Sequence, residues 1–139
     1  MTAELYQAII VEHDRNPHHH GPLAGATCSA TADNPLCGDV ITLHAIVDGD
    51  RITAITFEGR GCALSRAAAS ILTDRATSST RGELAALAAR FEAFVAEPAD
   101  APIPDELGDL AAFAGVRKVR SRRTCATLAF AALRRLEAR

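Results

Sequence analysis

VITLHAIVDGDRITAITF, residues 40–57, alternates with a period of two on either side of a turn. Successive strand side chains point to opposite faces, so Ile41, Leu43, Ala45 and Val47 share one face and Val40, Thr42, His44 and Ile46 the other. Asp48-Gly49-Asp50 has hairpin composition, and residues 52–57 return as the partner strand. Upstream, residues 27–33 form a weaker strand of small and polar residues. Together these runs predict a small three-stranded antiparallel sheet.

Outward from the hairpin the period changes. After Gly59-Arg60-Gly61, residues 62–74 are rich in Ala, Leu and Ile without Gly or Pro, which predicts a helix. Thr80 and Glu83 have capping-box spacing, and Leu84, Leu87, Ala88, Phe91 and Phe94 make one apolar stripe behind them. Residues 97–104 hold three prolines and read as a loop. Asp105 is expected to cap a short helix ending at Gly115. A last helix is expected from near Thr124 almost to Arg139, burying Cys125, Leu128, Ala129, Ala132, Leu133 and Leu136. In front, Leu5, Tyr6, Ile9, Ile10 and His13 recur at helical spacing over residues 3–14, and Asn16-Pro17 stops them. Strands early, helices late and one helix in front define an α+β class. A length of 139 residues fits a single domain, residues 1–139.

Hydrophobic residues make up 48% and charged residues 23%, a globular balance rather than a disordered one. A formal net charge of -2 and the lack of Trp argue against a nucleic-acid surface, and no apolar run has the length of a membrane span. The first twelve residues resemble an amphipathic helix, not a signal peptide. A cytoplasmic location is therefore expected, where Cys28, Cys37, Cys62 and Cys125 would stay reduced.

Cys37-Gly38-Asp39 follows Asn34-Pro35 in a turn, where glycine lets two side chains converge. Cys62 follows Gly59-Arg60-Gly61 at a strand-to-helix junction, and Cys125 is expected at a helix start. Unpaired N–H groups at helix starts favour thiolates. Three such cysteines and a carboxylate suit tetrahedral zinc, but the spacing also fits scattered core thiols, and sequence position leaves both readings open. Cys28 has no glycine or carboxylate beside it and reads as structural. His18-His19-His20 reads as surface, and His13 and His44 as hydrogen-bonded helix and strand residues. Ser65 is expected to steady its helix. Arg117, Lys118, Arg120, Arg122 and Arg123 form a basic stretch suited to docking an acidic partner.

Three separated motifs carry a resemblance: Asn34-Pro35-Leu36-Cys37-Gly38-Asp39, then Gly59-Arg60-Gly61-Cys62-Ala63-Leu64-Ser65 with Ala69-Ser70, then Arg122-Arg123-Thr124-Cys125-Ala126. With the opening helix and turn up to Gly21, they resemble the NifU/IscU-like superfamily across nearly the whole chain. That resemblance implies an IscU/NifU N-terminal-like fold. The iron–sulfur scaffold branch carries histidine directly before its last cysteine, where this chain has Thr124. That departure, and the longer segment between Cys62 and Cys125, are similar to the SufU branch of zinc-dependent sulfurtransferases. The branch implies Cys37, Asp39, Cys62 and Cys125 as Zn²⁺ ligands and Cys37 as acceptor of persulfide sulfur. It further implies a SufS-type, pyridoxal-phosphate cysteine desulfurase as partner, with iron–sulfur scaffold proteins downstream. The local composition agrees with that role for Cys37, because a Pro/Gly-flanked turn moves more easily than a helix. Three thiolates and a carboxylate around Zn²⁺ total about -2, so cations are expected nearby. Arg122, and less so Arg60, are the candidates, beside the ligands or against a partner. The alternatives are a scaffold holding a [2Fe–2S] cluster on the same ligands, and a zinc site that only stabilises the fold.

Overall fold

The computed structural model describes residues 3–137. The order is α1 (Ala3–Arg15), β1 (Cys28–Asn34), β2 (Asp39–Asp48), β3 (Arg51–Arg60), α2 (Ala63–Ala76), α3 (Arg81–Ala96), a 3-10 helical segment (Asp105–Lys118) and α4 (Arg120–Glu137). Met1, Thr2, Ala138 and Arg139 lie outside the described residues, and with them the expected run of the last helix toward Arg139. The fold is α+β, a three-stranded antiparallel sheet against five helices, as expected.

The strands lie in the order β1-β2-β3. Their register stacks apolar residues in rows: Ala32, Ile41 and Gly59; Ala30, Leu43 and Phe57; Cys28, Ala45 and Ile55. All of these but Cys28 and Gly59 are buried. α4 lies against β1 and β2, and α2 against β3. The opposite face is polar: Thr31 and Thr42 share a hydrogen bond of 2.7 Å, and His44 bridges Ser29 (2.7 Å) and Glu58 (2.8 Å). This division is what the two-residue alternation dictates. A bulge between Ile46 and Val47 shifts the last pairs and leaves both residues half-buried.

The capping box forms as its spacing predicts, with Glu83 N–H donating to Thr80 Oγ1 and Thr80 N–H to Glu83 Oε1. The stripe behind it buries Leu84, Leu87, Ala88, Phe91, Phe94 and Val95. Phe91 meets Phe113 edge-on at 5.7 Å and Phe130 at 4.8 Å, tying α3 to the 3-10 segment and α4. One continuous cluster of buried residues joins sheet and helices. Among the described residues, no helix is long and apolar enough to cross a membrane.

Two expectations are corrected. The segment after the proline loop runs from Asp105 to Lys118 as 3-10 helix, reversing at Gly108 (φ 55°), and Pro104 rather than Asp105 precedes its first turn. α4 begins at Arg120, not near Thr124. Arginine is a good helix former, and nothing in Arg120-Ser121-Arg122-Arg123 breaks a helix. The chain stays helical back to the extended Val119.

Candidate metal centre

β1 ends at Asn34, β2 begins at Asp39, and the two residues pair across the hairpin. Asn34 organises the connection: its side chain accepts from Leu36 N–H (3.2 Å) and its carbonyl from Cys37 N–H (3.2 Å) and Gly38 N–H (2.8 Å). Gly38 takes φ 75°, which a side chain disfavours, and so turns Asp39 inward directly after an exposed Cys37. Leu36 at the tip is 97% exposed.

Cys62 is the N-cap of α2, as the junction predicts. Its N–H donates to Asp39 Oδ1 at 3.2 Å and its thiol to Oδ2 at 3.5 Å. One turn into α2, Ser65 is fully buried and donates to Asp39 Oδ2 at 2.5 Å, with its oxygen 3.6 Å from Cys62 Sγ. Ser65 thus orients the carboxylate, a role that its reading as a helix-steadying residue missed. The available signal was its place three residues after Cys62, which puts both at the start of one helix. Gly61 is the second missed element: a Cβ there would sit 2.8 Å from Asp39 Cγ and 2.9 Å from Oδ1. Glycine at that position makes room for the carboxylate.

Cys125 approaches from the other side. The sequence expectation placed it at a helix start, but α4 begins five residues earlier, so its thiol lies on the second turn, 4% exposed, away from the unpaired N–H groups. Burial first, and then the Cys62 and Cys37 thiols, push it up to about 12. The helix-start argument therefore fails for Cys125, because the first turn of α4 separates it from the dipole's positive end. Sγ of Cys37, a carboxylate oxygen of Asp39 and Sγ of Cys125 all lie within 4.8 Å of one another. Cys62 joins them through its contacts with Asp39. Residues from four elements of the fold converge, while Cys28 stays in β1, packed against the core.

Asp39 is buried, which alone would raise its pKa. Hydrogen bonds from Ser65, Cys62, Cys37 and the Cys62 N–H outweigh burial and hold the carboxyl below its ordinary range. The pocket thus keeps one anion, Asp39, and disfavours ionisation of Cys125 beside it. A divalent cation would relieve that penalty, and the donor set of three thiols and one carboxylate suits one.

Arg60 ends β3 opposite Val40, and Arg122 lies on the first turn of α4; both are exposed. Neither guanidinium hydrogen-bonds to the four donors among the described residues. The basic stretch divides: Arg117 is 7% exposed, donates to Ala114 O (3.1 Å) and Ala101 O (2.9 Å), and stands 4.7 Å over the Phe94 ring. Its stem and fork are used inside the fold, so it leaves the surface. Arg123 is half-buried and donates to Arg117 O, which leaves Lys118, Arg120 and Arg122 outside.

The family described as the NifU-like N terminal domain matches residues 5–126. The chain is 41% identical over 130 residues to the iron-sulfur cluster assembly scaffold protein IscU of Streptococcus pyogenes serotype M1, covering 94% of this chain and 80% of that protein. It is 35% identical over 129 residues to the zinc-dependent sulfurtransferase SufU of Bacillus subtilis strain 168, covering 93% of this chain and 86% of that one. The crystal structure of a hypothetical protein superposes with a TM-score of 0.88 at 38% identity, over 99% of this chain and 100% of that chain.

Proposed function

The chain belongs to the NifU-like N-terminal domain family, the IscU/SufU family of iron–sulfur cluster assembly, and from that premise we propose that it is a zinc-dependent sulfurtransferase. In this reading residues 1–139 act as one cytoplasmic domain. Cys37, Asp39, Cys62 and Cys125 hold Zn²⁺, and Cys37 accepts sulfur from a SufS-type cysteine desulfurase. The observation that carries it is the convergence of Cys37, Asp39 and Cys125 within 4.8 Å, with Cys62 bonded to the same carboxylate. When bound, zinc supplies a redox-inert positive charge that offsets several thiolates in one pocket.

The chain's own residues divide the work. Ser65 and the Cys62 N–H fix Asp39, and Cys62 and Cys125 are anchored on helices. Cys37 sits in a four-residue connection and is exposed, so it is the thiol that can meet a partner. As a thiolate it attacks the terminal sulfur of the desulfurase's persulfide. A Cys37 Sγ–S bond forms, the partner's S–S bond breaks, and the partner's cysteine leaves as thiolate. No outside oxidant or reductant enters. Lys118, just before α4, and Arg120 and Arg122 on its first turn present positive charge for an acidic docking face. With a desulfurase and labelled cysteine, the protein is expected to stimulate turnover and gain label, and Cys37→Ser to do neither. A Cys37→Ser protein that still stimulates turnover and gains label would remove Cys37 from the role.

A second reading follows from the 41% identity to a protein named as a scaffold: a [2Fe–2S] cluster on the same four donors. Against it, Thr124 stands at the position where, by the resemblance, the scaffold branch carries histidine, and here it is an exposed helix residue. Iron with visible charge-transfer colour in protein purified without added metal would favour the scaffold.

A further inference from the structure

His13, His18 and Asp74 form a cluster to which the sulfur chemistry gives no role. His13 closes α1, His18 lies in the turn after it, and Asp74 lies near the C-terminal end of α2. One nitrogen of each imidazole and a carboxylate oxygen lie within 4.8 Å of one another. At about 1.5 Å per residue the helix separates Asp74 from Cys62 by roughly 18 Å, so the cluster is distinct from the thiol pocket.

The donors are held in place. His13 is 6% exposed; its Nδ1 is 2.7 Å from Ser70 Oγ, and its Nε2 faces Asp109 Oδ2 at 3.9 Å. His18 N–H donates to the same Ser70 Oγ at 2.8 Å, and Thr73 Oγ1 donates to His18 O at 3.4 Å, so α2 fixes the turn's backbone. His18 Nδ1 is 2.5 Å from Asp74 Oδ2, and the His13 and His18 rings stand 4.6 Å apart. His19, held at φ 52°, puts Nε2 3.0 Å from Asp74 Oδ1, on the carboxylate's other side. Hydrogen bonds that hold a histidine by one nitrogen and a carboxylate by one oxygen are the usual support of a metal ligand set. Burial, and then the neighbouring His18, keep His13 below its ordinary pKa despite Asp74, Asp109 and Glu12, which favours the neutral ligand form.

We propose that His13, His18 and Asp74 form a second divalent-cation site, with Ser70 and His19 positioning the ligands. Two imidazoles and one carboxylate select a borderline cation of the zinc, cobalt or nickel kind over magnesium or calcium. The side chains of His18 and Asp74 are 47% and 39% exposed, so the site opens to solvent and water completes the coordination. Binding displaces the proton now shared between His18 Nδ1 and Asp74 Oδ2. The ion joins α1, the turn and α2 at one point.

The test titrates the chelator-treated full chain with Co²⁺. Two equivalents are expected: one with thiolate-to-cobalt charge-transfer absorption, and one with only the weaker d–d bands of nitrogen and oxygen ligands. His18→Ala and Asp74→Asn should each weaken the second equivalent at least tenfold and spare the first, while His20→Ala leaves both. These two variants leave the buried His13 in place, so the fold is kept. A second equivalent that never appears, that survives both variants, or that is lost equally in His20→Ala overturns the site; the last outcome would mark the turn as an adventitious chelator only.

Discussion

Asp39 is the residue on which the pocket turns, because four donors address it and two thiols depend on its position. Ser65→Ala removes the O–H donor at 2.5 Å without changing the fold's packing, so zinc affinity should fall about 10–100-fold in competition with a chromophoric chelator. Gly61→Ala should fall at least as far, since the added Cβ must displace the carboxylate. Cys125 gives the pH prediction. Its folded pKa, raised from 9.0 to about 12, means the thiol form is favoured by folding. That stabilisation is complete below pH 9 and is lost as pH rises toward 12 in the metal-free protein. Denaturation of metal-free protein at stepped pH should show the loss, and Cys125→Ala should abolish that part of it. Asp39 has the opposite sign: its depressed pKa stabilises the fold above the ordinary carboxylate range and fails on acidification.

At the scale of elements, α3 depends on a local signal. Thr80→Ala removes one half of the capping box and should cost about 0.5–2 kcal/mol in chemical denaturation, with zinc binding unchanged. Such signals were legible because they are local. The hairpin over residues 40–57 alternates strictly, and the stripe from Leu84 to Phe94 repeats at helical spacing, so each announces its buried face. The start of α4 was not legible. Arg120-Ser121-Arg122-Arg123 carries no apolar period to announce a buried face, so the first turn of the helix went unread. That error misplaced the electrostatics of Cys125 although its identity as a site residue came from the motif. Arg117 was unreadable for a related reason: burial of an arginine depends on Phe94 and on the Ala101 and Ala114 carbonyls, which only the tertiary fold brings to it. Ser65 and Gly61 belong to the same class, since each acts on Asp39 across the junction between strand and helix.

For the whole molecule, sheet, α2 and α4 each deliver a donor to one point, and the basic start of α4 stands on the surface beside it. Association with the desulfurase should weaken as salt rises, and Arg120→Ala or Arg122→Ala should weaken it further at low salt, read as the protein concentration giving half-maximal stimulation. Salt-independent association would remove electrostatic docking. The account as a whole rests on three sulfurs and one oxygen around a single zinc ion. X-ray absorption at the zinc edge, on His18→Ala protein purified without added metal so that only the thiol pocket is read, measures this directly. About one zinc per chain is expected, with three sulfur scatterers at about 2.3 Å and one oxygen at about 2.0–2.2 Å. Zinc surrounded by nitrogen and oxygen alone, or a chain that binds none, would contradict it.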